Sequence, residues 1–128
     1  MAPSQGHRGN APAEFVLVSA LLVATVLGVL HLSTVVHVRH TLVSSAFEGA
    51  SVAARFGADP SDGVAYTRQL LLAGLSPRYA EHVVATPVSL AGVPGVRITV
   101  RAPYPTLGIW SAGGELTVWA DAALERPR

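Results

Sequence analysis

The chain has 128 residues, half of them hydrophobic, with nine arginines, no lysine, eight acidic residues and no cysteine. That length allows one small domain plus an appended segment, and the composition is too apolar for a soluble domain of this size. The absent cysteine excludes disulfides, thiolate metal sites and a cysteine nucleophile. A net charge of +1 with scattered arginines gives no reason to expect nucleic acid, and no polybasic stretch for anionic lipid.

The first nine residues, Met1 to Gly9, are polar and rich in small residues, which predicts a disordered start. Pro12 fits only the first turn of a helix, where its missing N–H goes unused. From Phe15 to Val38 there is no formally charged side chain. These 24 residues give a helix of roughly 36 Å, against a hydrocarbon core of about 30 Å. A helix this long and apolar all round predicts a membrane span. Ala20, Ala24 and Gly28 form a small-xxx-small row within it, a pattern that supports helix contact but is frequent by chance.

Beyond Val38 the helix is expected to continue as an amphipathic segment to about Arg55. Leu42, Val43, Ala46, Phe47, Ala50, Ala53 and Ala54 form its apolar stripe, with Arg39, Ser44, Glu48, Ser51 and Arg55 opposite. Gly57 is the expected stop. A second helix should open with Asp59 as N-cap, Pro60 at the first position and Asp62 near the helix N-terminus. Tyr66, Leu70 and Leu71 are its expected buried side and Gly74 its end. Ser76-Pro77 can open another short turn.

The remainder predicts strands. Val96, Ile98, Val100 and Ala102 alternate with Arg97, Thr99 and Arg101, and Leu116, Val118, Ala120 and Ala122 alternate with Glu115, Thr117, Trp119 and Asp121. A weaker strand falls near Val83–Ala91, with Pro94-Gly95 as the expected turn into the next strand and Gly113-Gly114 before the last. The predicted fold class is therefore α+β: a long N-terminal transmembrane and amphipathic helix, a short helix and a small antiparallel sheet. The expected division is a leader over 1–9, the helix over 10–57 and a small extracytoplasmic domain over 58–128.

The informative residues lie at the start: Gly9, four residues, then Glu14 and Phe15. This spacing resembles the leader of type IV prepilins, in which a prepilin peptidase cuts after a glycine. The resemblance places the cut between Gly9 and Asn10, making Glu14 the fifth mature residue and Phe15 the sixth. Such a cut leaves the apolar helix intact, whereas ordinary signal peptidase removes it. The Glu14 carboxylate sits at the positive end of the helix dipole, within reach of headgroup solvation. In a filament it can pair with the new amino terminus of a neighbouring subunit and fix axial register between uniformly apolar helices. Pro12 departs from the usual processing region, where small or β-branched residues are common, and Asn10 is not a diagnostic first mature residue.

About ten residues past the span, Glu48-Gly49-Ala50-Ser51-Val52-Ala53-Ala54-Arg55 is similar to the E-G-A-x-x-A-A-R segment of TadE-like pseudopilins, minor pilin-like proteins of tight-adherence (Tad/Flp) pili. The specific part of the resemblance is Gly9–Arg55; the C-terminal half matches in pattern only, and Glu125-Arg126 matches the family's tail loosely. The resemblance implies a structural subunit of such a pilus or a related secretion apparatus, in the cytoplasmic membrane with its N-terminus cytoplasmic, reaching the cell surface on assembly. Its implied partners are the prepilin peptidase, other pilin or pseudopilin subunits, Tad assembly proteins and the lipid bilayer. Charge does not set the orientation, since Arg8 precedes the span and Arg39 follows it. Gly49, Ala50, Ala53 and Ala54 equally fit a close approach of the helix to its own domain.

Other constellations predict no chemistry. His31, His37 and His40 lack a neighbouring carboxylate and make a poor metal site. Arg97 and Arg101 fit cross-strand charge pairs with Glu115 and Asp121. Trp110 and Trp119 fit packing or a partner-facing surface. With no phosphate loop and no nucleophile motif, the expectation is a non-enzyme without cofactor. The alternative to a processed subunit is an unprocessed, single-pass anchored extracytoplasmic binding or sensor domain, and the two differ in whether Gly9 and Glu14 are needed.

Overall fold

The computed structural model describes residues 10–105 and 113–126. In chain order these form helix α1 (Asn10–Ala53), helix α2 (Pro60–Gly74), a 3-10 turn (Pro77–Tyr79) and strands β1 (His82–Leu90), β2 (Val93–Pro103) and β3 (Glu115–Ala123). The α+β class expected from the sequence is the class observed. The chain divides into two compact units, Met1–Thr34 and Val35–Arg128.

Within the first unit, the described residues are all α1. The apolar side chains point outward around the whole helix: Phe15 is 73% exposed and Leu21 69%. Among the described residues nothing covers them, so α1 carries here a surface suited to lipid rather than water. The two threonine hydroxyls in this unit bond back to the helix itself. Thr25 donates to the Leu21 carbonyl at 2.8 Å and Thr34 to the Leu30 carbonyl at 2.8 Å, so neither threonine hydroxyl is left unpaired.

The second unit is built on the last part of α1. Val38, Leu42, Ser45, Ala46, Gly49, Ala50 and Ala53 are buried, a spacing of three and four residues that keeps one helix face toward the core. The expected stripe was too wide. Val43 and Phe47 are exposed, because each follows a core-facing residue by one position and so sits about 100° round the helix. The buried face instead takes in Ser45 and Gly49.

Helix α2 begins as expected. The Ser61 N–H donates to the Asp59 carboxylate at 2.8 Å, and the Asp59 N–H donates to the Asp62 carboxylate at 3.0 Å, closing a reciprocal capping box. Its buried residues are Gly63, Thr67 and Leu71. Tyr66 and Leu70 are only half-buried, a correction to the predicted face, which favoured bulk over the small residues that close packing selects.

The sheet has order β1-β2-β3, antiparallel throughout. One face, centred on Val96, Ile98, Val100 and Ala102, joins Val83, Leu116 and Val118 in a single core with Leu42, Ala46, Ala50 and Leu71. The β1–β2 turn is not Pro94-Gly95. It falls at Ala91-Gly92, both at positive φ (50° and 84°), while Pro94 and Gly95 lie inside β2. A proline at the first turn position fixes φ near −65°, whereas a two-residue hairpin of native twist wants positive φ there. Gly95 is small for another reason: a Cβ there would lie 2.8 Å from the Ala122 carbonyl oxygen.

Candidate functional site

The residues singled out by sequence fall into two groups. Gly9 lies outside the described residues. Asn10 is the first residue of α1, and Glu14 follows within its first turns, exposed, with exposed Phe15 next to it. The helical geometry thus places one carboxylate in the second turn of an outward-facing apolar helix, beyond the first turn in which the dipole acts most strongly.

The second group, Glu48 to Arg55, is split by the helix into two faces. Glu48 and Arg55 are exposed, while Gly49, Ala50, Ala53 and Ala54 are buried. The small residues let α1 meet α2 at near-backbone contact. A Cβ on Gly49 would overlap the Thr67 hydroxyl and lie 2.8 Å from the Gly63 carbonyl oxygen; a Cβ on Gly63 would press on Ala53. The buried Thr67 hydroxyl donates to the Gly63 carbonyl at 2.8 Å and reaches the Ser45 carbonyl at 3.4 Å, tying the helices together where no side chain fits between them. Of the two roles open to these small residues, the approach of α1 to its own domain is the one present in the chain.

Gly63, Thr67 and Ser45 were missed by sequence reasoning. A signal existed: Gly63, Thr67 and Leu71 recur at four-residue spacing, one stripe of a helix. The C-terminal segment returns to the end of α1, where the Glu125 N–H donates to the Ala54 carbonyl at 2.8 Å and its carboxylate accepts from the Phe56 N–H at 3.4 Å.

On the outer sheet face the expected charge pairs form. Arg97 donates from two nitrogens to both Asp121 oxygens, at 2.7 and 2.9 Å, and Arg101 approaches Glu115 at 3.5 Å. The hydrogen bonds from Arg97 hold the Asp121 carboxyl below its usual range and raise the guanidinium in turn. Asp59 is likewise lowered, by the hydrogen bond from Ser61. Trp119 is exposed on this face with Arg97 5.8 Å from its ring centre, and Trp110 lies outside the described residues. Among the described residues no group of three histidines or carboxylates could hold a metal ion.

Residues 9–51 match the family model described as TadE-like protein, a span that takes in Gly9, the apolar run and Glu48-Gly49-Ala50. The resemblance seen in the sequence is thereby matched over that segment. No curated protein and no solved structure matches the chain significantly.

Proposed function

We propose that this chain is a minor pseudopilin-like structural subunit of a Tad/Flp-type pilus or related secretion apparatus, processed by a prepilin peptidase between Gly9 and Asn10. The observation that carries this is a conjunction. The family match starts at Gly9 and takes in the stretch of α1 from Phe15 to Leu30, whose apolar surface is exposed on every side, the form of a segment made to lie in lipid and then against other helices. In this reading α1 anchors the chain in the cytoplasmic membrane with its N-terminus cytoplasmic, and residues 58–128 form an extracytoplasmic domain. Its partners are the peptidase, other pilin-like subunits and the Tad assembly proteins. The role is structural, with no catalytic step and no cofactor.

Glu14 is assigned the register role. After cleavage the α-amino group of Asn10 carries a positive charge, and a carboxylate four residues along a neighbouring helix can pair with it. In surroundings of low dielectric that pair is far stronger than in water. Glu14→Ala should leave membrane insertion intact and reduce recovery of the subunit in sheared filament fractions severalfold. Normal incorporation of the variant would remove the register role. The buried small residues Gly49, Ala50, Ala53 and Ala54 serve the domain, and the exposed residues Glu48 and Arg55 are the ones left for subunit contact.

A further inference from the structure

The three-stranded sheet has two edges, β1 and β3, and the phase of its hydrogen bonds decides what each edge offers. Strands β2 and β3 pair without a bulge from Gly95 opposite Ala123 to Pro103 opposite Glu115. Just past the two ends of that ladder, the Tyr104 N–H donates to the Gly114 carbonyl at 3.1 Å and the Leu124 N–H to the Pro94 carbonyl at 2.9 Å. Bonded and unbonded pairs alternate in an antiparallel ladder. The residues of β3 bonded to β2 are therefore Leu116, Val118, Ala120 and Ala122. The N–H and carbonyl groups of Thr117, Trp119 and Asp121 point away from the sheet, and among the described residues no backbone group pairs with them.

The same phase, carried across β2, puts the backbone groups of Val83, Ala85, Pro87 and Ser89 on the β1 edge. Pro87 stands in the middle of that edge with no N–H to give, and α2 packs against β1. This edge is closed to a further strand. Strand β3 has neither a proline nor a bulge, its stretch from Leu116 to Ala120 is uncharged, and Thr117 and Trp119 are exposed. One edge is thus blunted and the other left able to pair.

Charge narrows the choice of strand. β3 carries Glu115 and Asp121 and no basic residue. Antiparallel pairing with β3 of a second copy would set Glu115 opposite or diagonal to a carboxylate of that copy in every register that joins the strand centres, and like charges so placed repel. Pro87 bars the other route, growth of the sheet from β3 of one copy to β1 of the next. Asp121 is held by Arg97, whereas Glu115 is exposed and its contact to Arg101 is long, at 3.5 Å. We propose that the β3 edge accepts an extended segment of a different protein, an acid-free strand with a basic residue beside Glu115, as the fourth strand of the sheet. Backbone bonds to Thr117, Trp119 and Asp121 hold it, and the Trp119 ring, 58% exposed, packs against its outer-face side chain. The proposal stands on the sheet alone and is independent of processing at Gly9.

The test follows backbone amide exchange in the full chain in micelles. The probe is a peptide of alternating threonine and valine with lysine at one end. Two controls accompany it, the same peptide methylated at its backbone nitrogens and one with glutamate in place of lysine. In the free chain the Thr117, Trp119 and Asp121 amides should exchange fast while those of Leu116, Val118 and Ala120 are protected. Probe at millimolar concentration should slow the three outward amides at least about fivefold and leave Val83, Ala85 and Ser89 unchanged. Thr117→Pro deletes one outward N–H without touching the ladder to β2, and should abolish the slowing. Outward amides already protected in the free chain would overturn the proposal, as would no slowing with the probe or equal slowing by either control. Slowing that rises with protein concentration in the absence of probe would assign the edge to a second copy and overturn it too. The peptide comparison stands even if Thr117→Pro does not fold.

Discussion

Gly49 illustrates how little room separates the two helices. A methyl group there meets the Thr67 hydroxyl and the Gly63 backbone at once, and the Gly63 carbonyl cannot retreat without moving a helix. Gly49→Ala should therefore lower the thermal stability of the domain by about 1–3 kcal/mol, whereas Gly28→Ala, with open space around it, should leave it unchanged. Melting of the two variants in one detergent compares them directly. Asp121 gives a second prediction at this scale. Arg97 lowers its folded-state pKa, so the pair's contribution is fully present above the ordinary carboxylate range and is lost as pH falls through the folded value. Asp121→Asn should lower stability at neutral pH and flatten its fall on acidification. Parallel melts of both proteins over an acid pH series would show the curves converging at low pH.

At the level of elements, strongly periodic segments could be read directly and small residues could not. The period-two alternation of β2 and β3 identified both strands and their charge pairs, since one face had to be buried. The Asp59-Pro60-Ser61-Asp62 cap was equally legible, because its chemistry is local. The face of α1 and the hairpin turn were misjudged for different reasons. The helix face is decided by what the segment meets across the core, of which bulk at Phe47 says nothing, and the turn by positive φ at Ala91 and Gly92, which a Pro-Gly pair read alone does not locate. The turn carries its own test. Ala91 occupies a left-handed conformation that costs an L-residue about 1–2 kcal/mol, less for asparagine. Ala91→Asn should raise stability by about 0.5–1 kcal/mol, measured by denaturant unfolding of the full chain in micelles. No gain, or a loss, would mean that the turn lies elsewhere.

For the whole molecule, the sequence carried the long apolar helix and the α+β plan. The contact that ties Glu125 to the end of α1 was not legible, because it joins residues 71 positions apart (125 − 54). The proposed processing site rests on a spacing alone, Gly9 to Glu14, because a scissile bond needs an accessible peptide and leaves no packing signature. The central claim is that the mature protein begins at Asn10. Its most direct test is the intact mass and N-terminal sequence of the membrane-extracted chain, expressed with and without its host's prepilin peptidase. The account predicts a chain starting at Asn10 when the peptidase is present and an uncut chain when it is absent, with a bulky residue in place of Gly9 blocking the conversion. An uncut chain in both cases would contradict it and leave a permanently anchored domain.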